Sequence, residues 1–352
     1  MTPLQANFTE PLLEWFVTHG RKNLPWQNPR TPYRVWVSET MLQQTQVKTV
    51  IPYFNRFIER FPSIDVLASA SEDDVLSHWS GLGYYSRARN LRKTANIITQ
   101  QFHGHFPRHL KELQQLPGIG ESTAAAIVSL AFNQPATILD GNVKRVLCRY
   151  FLIGGDPNQH VVKKKLWELA NKCAPNDRCA EYTQAIMDLG ATCCTVRQPN
   201  CENCPLKITC QAQLNNEVAN YPQKKVIKKL PIRSKQFLLL YDEQEQIYLE
   251  KNPPVGLWGG LWCLPAIEID QESTEYVSAQ YNIRVIQMNE IMRFRHSFSH
   301  FHLDIKALAL STATNRTHSL DTPGQWFSTN QLKNLGLPKP ITTIINHFLE
   351  KK

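Results

Sequence analysis

The spacing of apolar residues gives the chain two textures. Through roughly the first 215 positions they recur at the interval of amphipathic helices. Leu12, Leu13, Phe16 and Val17 share one face of a helix that Thr9-Glu10-Pro11 opens and Gly20 closes. Ser71 followed by Asp74 resembles a capping box. Gly81 and Gly83 interrupt the pattern, which resumes over Tyr84–Gln101 and breaks again at Pro117-Gly118. Ser122–Phe132, rich in Ala, Ile and Leu, reads as a buried helix, and Gly141–Phe151 and Val161–Cys173 as further helices. Near residue 219 the texture changes. Asn220–Pro231 is basic, carries two prolines and reads as an exposed linker. Beyond it, Gln236–Tyr241, Gln246–Glu250 and Phe301–Leu310 predict strands, separated by clusters such as Asn252-Pro-Pro-Val-Gly256, and Pro340–Leu349 predicts a last helix. The chain is therefore read as multidomain: an all-α region over 1–218, a basic linker over 219–234 and a small α+β domain over 235–352.

Composition keeps this picture and narrows the partners. The 352 residues are 42% hydrophobic and 20% charged, an ordinary globular balance in a length comfortable for two domains. The net charge of +9 favours a polyanion, nucleic acid first. No run of about 18 apolar residues occurs, so no membrane span is expected. The N-terminus lacks a basic stretch leading into an unbroken apolar one, so no signal peptide is expected. Nine cysteines, an odd number, suit thiols or metal ligands in a reducing compartment better than a disulfide framework.

Four of those cysteines fall at Cys194-x6-Cys201-x2-Cys204-x5-Cys210. Such a set suits a [4Fe-4S] cluster or zinc. Structural zinc usually takes two Cys-x-x-Cys knuckles set well apart, and the single pair here favours iron–sulfur. Cys193 competes with Cys194 as first ligand. Arg197 and Lys207 in the same loop could meet phosphates, so a structural staple with a basic loop is the expected role. Cys148, Cys173, Cys179 and Cys263 are expected to be buried. Leu116-Pro-Gly-Ile-Gly120 lies between helical stretches, where glycines let backbone approach a phosphate and the next helix offers free N–H groups. About twenty residues on, Asp140 stands at the mouth of a helix, a position that alone suggests an N-cap.

Together these features resemble the helix-hairpin-helix DNA glycosylases that carry an iron–sulfur cluster, a superfamily including endonuclease III and the adenine glycosylases. The resemblance makes Pro117, Gly118 and Gly120 the DNA-binding hairpin and Asp140 the catalytic aspartate. It selects Cys194, Cys201, Cys204 and Cys210 as ligands of one [4Fe-4S] cluster. Three features point to the adenine branch. Val37-Ser-Glu-Thr-Met-Leu-Gln-Gln-Thr-Gln46 resembles that branch's catalytic helix, with Glu39 as the acid. Ser122 stands where endonuclease III has its Schiff-base lysine, and a hydroxyl forms no imine, so lyase activity should be absent or weak. Lys144 remains an adventitious amine. Gly256–Trp262 and Phe294–His302 resemble a Nudix-like domain that reads 8-oxoguanine. No Arg-Glu-x-x-Glu-Glu array follows Gly260, so this half is read as a recognition module.

The resemblance implies a base-excision mechanism. Glu39 would protonate the leaving adenine, Asp140 would stabilise the sugar cation and Asn142 would orient them. Gln43, Gln44, Leu82 and Tyr84, with Thr45 beside them, would fill the space an extruded adenine leaves. Phe298, Ser299 and His300 would probe the opposite 8-oxoguanine. The implied partner is double-stranded DNA holding A:8-oxoG or A:G, bound by a monomer in the bacterial cytosol at the nucleoid. Lys163-Lys164-Lys165 reads as a solvated helix face. The rivals are an endonuclease III-type enzyme on oxidised pyrimidines, a non-enzymatic DNA-binding protein and a pyrophosphohydrolase.

Overall fold

The structure, a computed structural model, describes residues 3–223, 229–313 and 324–351. Part of the expected linker, 224–228, lies outside the described residues. The N-terminal part runs through α1 (Pro3–His19), α2 (Pro32–Leu42), α3 (Val47–Arg60), α4 (Ile64–Ser69), α5 (Glu72–Trp79), α6 (Ser86–Phe102), α7 (Leu110–Gln114), α8 (Glu121–Ala126), α9 (Gly141–Tyr150), α10 (His160–Cys173), α11 (Cys179–Asp188) and α12 (Gln211–Leu214). Packing divides the chain into two compact units: Met1–Ala68 with Lys93–Ile227, and Ser69–Arg92 with Lys228–Lys352. The boundaries read from sequence leave residues 69–92 with the helical region, whereas packing groups them with the sheet.

In the first unit, α1 begins at Pro3 rather than at Thr9 and runs through Pro11. A proline at 11 has no N–H for the Asn7 carbonyl four residues back. That carbonyl instead accepts from the Tyr150 and Thr209 hydroxyls, each at 3.4 Å, so the helix continues without an orphaned acceptor. Thr31 caps α2 by accepting from the Arg34 N–H, and Pro32 occupies its first position. Phe8, Leu12, Trp36, Val37, Met41, Phe54 and Phe57 are wholly or almost wholly buried, so α1, α2 and α3 all feed the core. The expected helix over 122–132 is divided: α8 gives way to a π-helical turn at Ile127–Ala131. A second π turn, Leu189–Cys193, ends α11. Such turns are frequent at functional sites because they re-aim backbone carbonyls.

In the second unit, Ser71 accepts from the Asp74 N–H at 3.1 Å, the N-terminal half of the expected capping box. The sheet comprises β1 (Ile232–Tyr241), β2 (Ile247–Lys251), β3 (Trp262–Cys263), β4 (Ala266–Ile267), β5 (Val285–Ser297), β6 (His302–Thr312) and β7 (Gly324–Phe327). Its order is β3-β2-β1-β6-β5, with β4 paired to β1 and β7 to β2. β1 and β6 run parallel and β5 returns antiparallel to β6. Phe237 and Leu239 join one core with Ile341, Ile344 and Phe348 of α15 (Lys339–Glu350), a helix that follows the short α14 (Thr329–Leu332). Leu238 and Leu240 join the opposite core with Val277 and Tyr281 of α13 (Ser273–Tyr281). Burial on both faces explains the continuous apolar run of β1. Within this unit Lys251 pairs with Asp73 at 2.6 Å and the Ser80 hydroxyl donates to the Leu337 carbonyl at 2.6 Å, tying α5 and its loop to the sheet. Among the described residues no helix is long and apolar enough to cross a membrane.

Candidate active site

Glu39 sits on α2 between buried Ser38 and Thr40, whose hydroxyls are satisfied by the Val35 and Trp36 carbonyls. Burial, then the charge of Asp140, pushes its carboxyl up to about 8. At neutral pH it holds its proton.

Asp140 is the N-cap that its position suggested. It caps α9, accepting from the Val143 N–H at 2.7 Å and from the Asn142 amide at 3.3 Å. It also faces Glu39 closely enough to perturb it. Burial raises its own pKa, while the Val143 and Asn142 donors and the Arg145 charge pull the other way and favour the ionised form. The two carboxyls thus share a desolvated site, with hydrogen-bond donors aimed at only one of them.

Behind Asp140 stands a residue that sequence reading missed. Arg145 is buried and donates to the Asn142 side-chain oxygen at 2.8 Å, the Gly190 carbonyl at 2.6 Å and the Cys194 carbonyl at 2.8 Å. Gly190 lies in the π turn, and a Cβ there would fall 2.6 Å from the Asn142 Cβ. Only glycine lets this turn rest on α9. One helical turn on, Arg149 donates to the Cys194 sulfur at 3.3 Å and the Thr195 carbonyl at 2.7 Å. The i, i+4 pair of arginines on α9 is the signal that could have exposed this role.

Cys194, Cys201, Cys204 and Cys210 are free, half-buried thiols that line one cavity with Arg149, and Cys193 lines it too. The Cys193 thiol donates to the Asn200 carbonyl at 3.2 Å. Among the described residues no three His, Cys, Asp or Glu side chains converge on a single metal ion. A cubane cluster spreads its four thiolates around the cube, so a cysteine-lined cavity with a nearby guanidinium fits that group.

The hairpin has the expected turn. Gly118 adopts φ 79°, open to glycine, and the Pro117 carbonyl accepts from the Thr94 hydroxyl at 2.8 Å. Gly120 caps α8, and a Cβ there would meet nothing within 4 Å, so no protein atom explains its lack of a side chain. The Ser122 hydroxyl accepts from the Leu139 N–H at 3.2 Å, steadying the segment that carries Asp140. The Lys144 ammonium donates to Asn158 at 2.8 Å. Gln43 donates to the Thr123 hydroxyl at 3.4 Å, while Gln44 is exposed with φ 58° and Thr45 closes the turn through Leu42.

In the second unit Leu82 is 7% exposed and Tyr84 45% exposed, so of these two candidates only Tyr84 is presented to solvent. Gly81 and Gly83 flank Leu82 at φ 93° and 77°, and the Arg87 guanidinium lies 5.3 Å from the Tyr84 ring centroid. Phe298, Ser299 and His300 form the tip joining β5 to β6, closed by the Phe298 N–H donating to the Phe301 carbonyl at 2.9 Å. Phe298 stacks on Phe301 at 4.5 Å, leaving Ser299 and His300 exposed. α13 carries one acid, Glu275, and among the described residues no three acidic, His or Cys side chains are grouped to hold a metal ion such as magnesium.

Comparison with known proteins agrees with this geometry. Residues 37–172 match the HhH-GPD superfamily of base excision DNA repair proteins, and residues 236–347 match the NUDIX domain family. The adenine DNA glycosylase of Buchnera aphidicola subsp. Baizongia pistaciae is 41% identical over 338 residues, covering 96% of this chain and 95% of that protein. The mouse adenine DNA glycosylase is 34% identical over 405 residues, covering 97% and 78%. A thermostable thymine-DNA glycosylase aligns at 28% identity and a TM-score of 0.54 over 60% of this chain and 97% of its own. An endonuclease III–DNA complex, at 22% identity and a TM-score of 0.51 over 61% of this chain and 99% of its own, shares the fold. The expectations of a helical glycosylase with a Nudix-like second half therefore hold, and the chain belongs to the adenine DNA glycosylase family of base excision repair enzymes.

Proposed function

We propose that Glu39 and Asp140 divide the hydrolysis of an adenine N-glycosidic bond between them, on adenine paired with 8-oxoguanine or guanine. The observation that carries this reading is a carboxyl held protonated to about pH 8 beside a second one supplied with donors for its ionised form. Adenine leaves badly as an anion. Glu39 gives its proton to N7 as the C1′–N9 bond breaks, and the bonding electrons depart with neutral adenine. The sugar becomes an oxocarbenium ion, which ionised Asp140 stabilises at close range. The Glu39 carboxylate then takes a proton from water as the water oxygen bonds to C1′, which restores the acid. Asn142 orients Asp140, and Arg145 holds Asn142. Ser122 supplies no amine and the Lys144 ammonium is hydrogen-bonded to Asn158, so strand cleavage is absent or weak.

Cys194, Cys201, Cys204 and Cys210 would hold a [4Fe-4S] cluster, which when bound supplies a covalent cross-link across the loop. The loop in turn fixes the carbonyl of Cys194 on which Arg145 rests. Pro117, Gly118 and Gly120 would admit the DNA backbone, and Gln43, Gln44, Thr45 and Tyr84 would occupy the gap left by the extruded base. Ser299, which both donates and accepts, suits a base whose N7 has become a donor. Adenine release from duplexes holding A opposite 8-oxoguanine, guanine or thymine tests the reading. Release opposite 8-oxoguanine and guanine is expected; equal release opposite thymine would sink the mismatch assignment.

A further inference from the structure

The β5–β6 tip borders an open cleft of about 570 Å³ within the second unit. Tyr84, Trp258 and Phe298 give it aromatic walls, and Arg89, Arg233 and Lys339 line it as cations. Among the described residues no aspartate or glutamate lines it. The Arg89 guanidinium is engaged by the Gly259 carbonyl. Arg233 lies with its guanidinium 4.6 Å from the Phe301 ring centroid, where the ring holds the charge over the cleft. Lys339, at the start of α15, is exposed. Burial, then the nearby Lys339 charge, holds His296 below the ordinary imidazole range, so Lys339 acts on the cleft interior. Arg233 and Lys339, lining a cleft with no carboxylate in its described walls, attract an anion, and the aromatic walls suit the bases beside it.

We propose that Arg233 and Lys339 grip a backbone phosphate of the strand opposite the adenine, beside the base probed by Ser299. The inference rests on the reading of Phe298-Ser299-His300 as that probe. Its consequence is a division of labour: the cation pair supplies affinity and register, and the hairpin tip supplies base discrimination.

The test uses the full-length protein and duplexes in which 2′-fluoro-2′-deoxyadenosine, whose fluorine opposes oxocarbenium formation, faces 8-oxoguanine or guanine. Dissociation constants are measured across a salt series. Lys339→Gln and Arg233→Gln should each weaken binding to both duplexes by roughly fivefold, the worth of one exposed ion pair. The double variant should lower the slope of log K against log salt by about 0.9 and each single variant by part of that, while Lys333→Gln, outside the cleft, should not. Neutral methylphosphonates flanking 8-oxoguanine should erase the difference between wild type and variant; the same linkages around the adenine should not. Unchanged slopes, an equal effect of Lys333→Gln, or erasure only by the adenine-strand linkages would overturn the proposal. Ser299→Ala in the same assay judges the probe separately: an intact preference for 8-oxoguanine there would remove the probe reading even if the slopes fall as expected.

Discussion

Replacing the proposed acid should make the protein more stable, and increasingly so as pH rises. The Glu39 carboxyl has an ordinary value of 4.5 and is pushed up to about 8 in the folded state. A folded value above the unfolded one means the group's contribution is most favourable below 4.5, erodes as pH climbs through the window to about 8, and is flat beyond it. At pH 7 the unfolded chain would release a proton that the folded chain keeps. At about 1.36 kcal/mol per pH unit above 4.5, the folded state is penalised by about 3 kcal/mol. The same reasoning gives about 1 kcal/mol at pH 5 and about 4 kcal/mol at pH 8. Glu39→Gln keeps the shape and removes the titration. Its melting temperature relative to wild type should therefore rise between pH 5 and pH 8 by roughly 6–12 °C, at about 2–4 °C per kcal/mol for a unit of this size. Scanning calorimetry of both proteins at the two pH values reads this directly. A gap that is the same at both, or a variant less stable than wild type at pH 8, would refute the desolvated-acid argument.

Other expectations follow from the same geometry. Arg145→Gln strands the Gly190 and Cys194 carbonyls and loosens Asn142, so stability should fall by about 2–4 kcal/mol and single-turnover adenine release by at least about tenfold, measured by calorimetry and rapid quench. Cys194→Ser and Cys204→Ser should lose the visible iron–sulfur absorption and labile sulfide, whereas Cys193→Ser should retain both; the reverse would move the first ligand to Cys193. Borohydride should capture little or no covalent protein–DNA product, since Ser122 has no amine; efficient capture on pyrimidine-damaged DNA would favour the endonuclease III-type rival.

Much of the site was legible because its chemistry is local in sequence. The spacing from Cys194 to Cys210 and the glycines of 116–120 are short motifs whose few physical readings the resemblance narrows. Asp140 was legible as a cap and, through the resemblance, as a catalyst; the structure shows the cap and sets the same carboxylate against Glu39. What stayed hidden depends on distant backbone. Arg145 matters because a π turn forty-five residues on delivers the Gly190 carbonyl to it, and periodicity carries no trace of that turn. Helix α1 began earlier than expected because two hydroxyls from far along the chain satisfy the carbonyl that Pro11 abandons. Strand β5 escaped notice because it is the sheet's edge, where most side chains are exposed and polar alternation is weak. Residues 69–92 read as part of the helical region, yet packing groups them with the sheet.

The central claim is a carboxyl pair with separate tasks, and single-turnover adenine release from an A:8-oxoG duplex tests it most directly. With saturating protein at neutral pH, Glu39→Gln and Asp140→Asn should each release adenine at least about a hundredfold more slowly than wild type while still binding the duplex. Wild-type release should also decline as pH rises through about 8, where Glu39 loses its proton. Release at near wild-type rate by either folded variant would contradict the account.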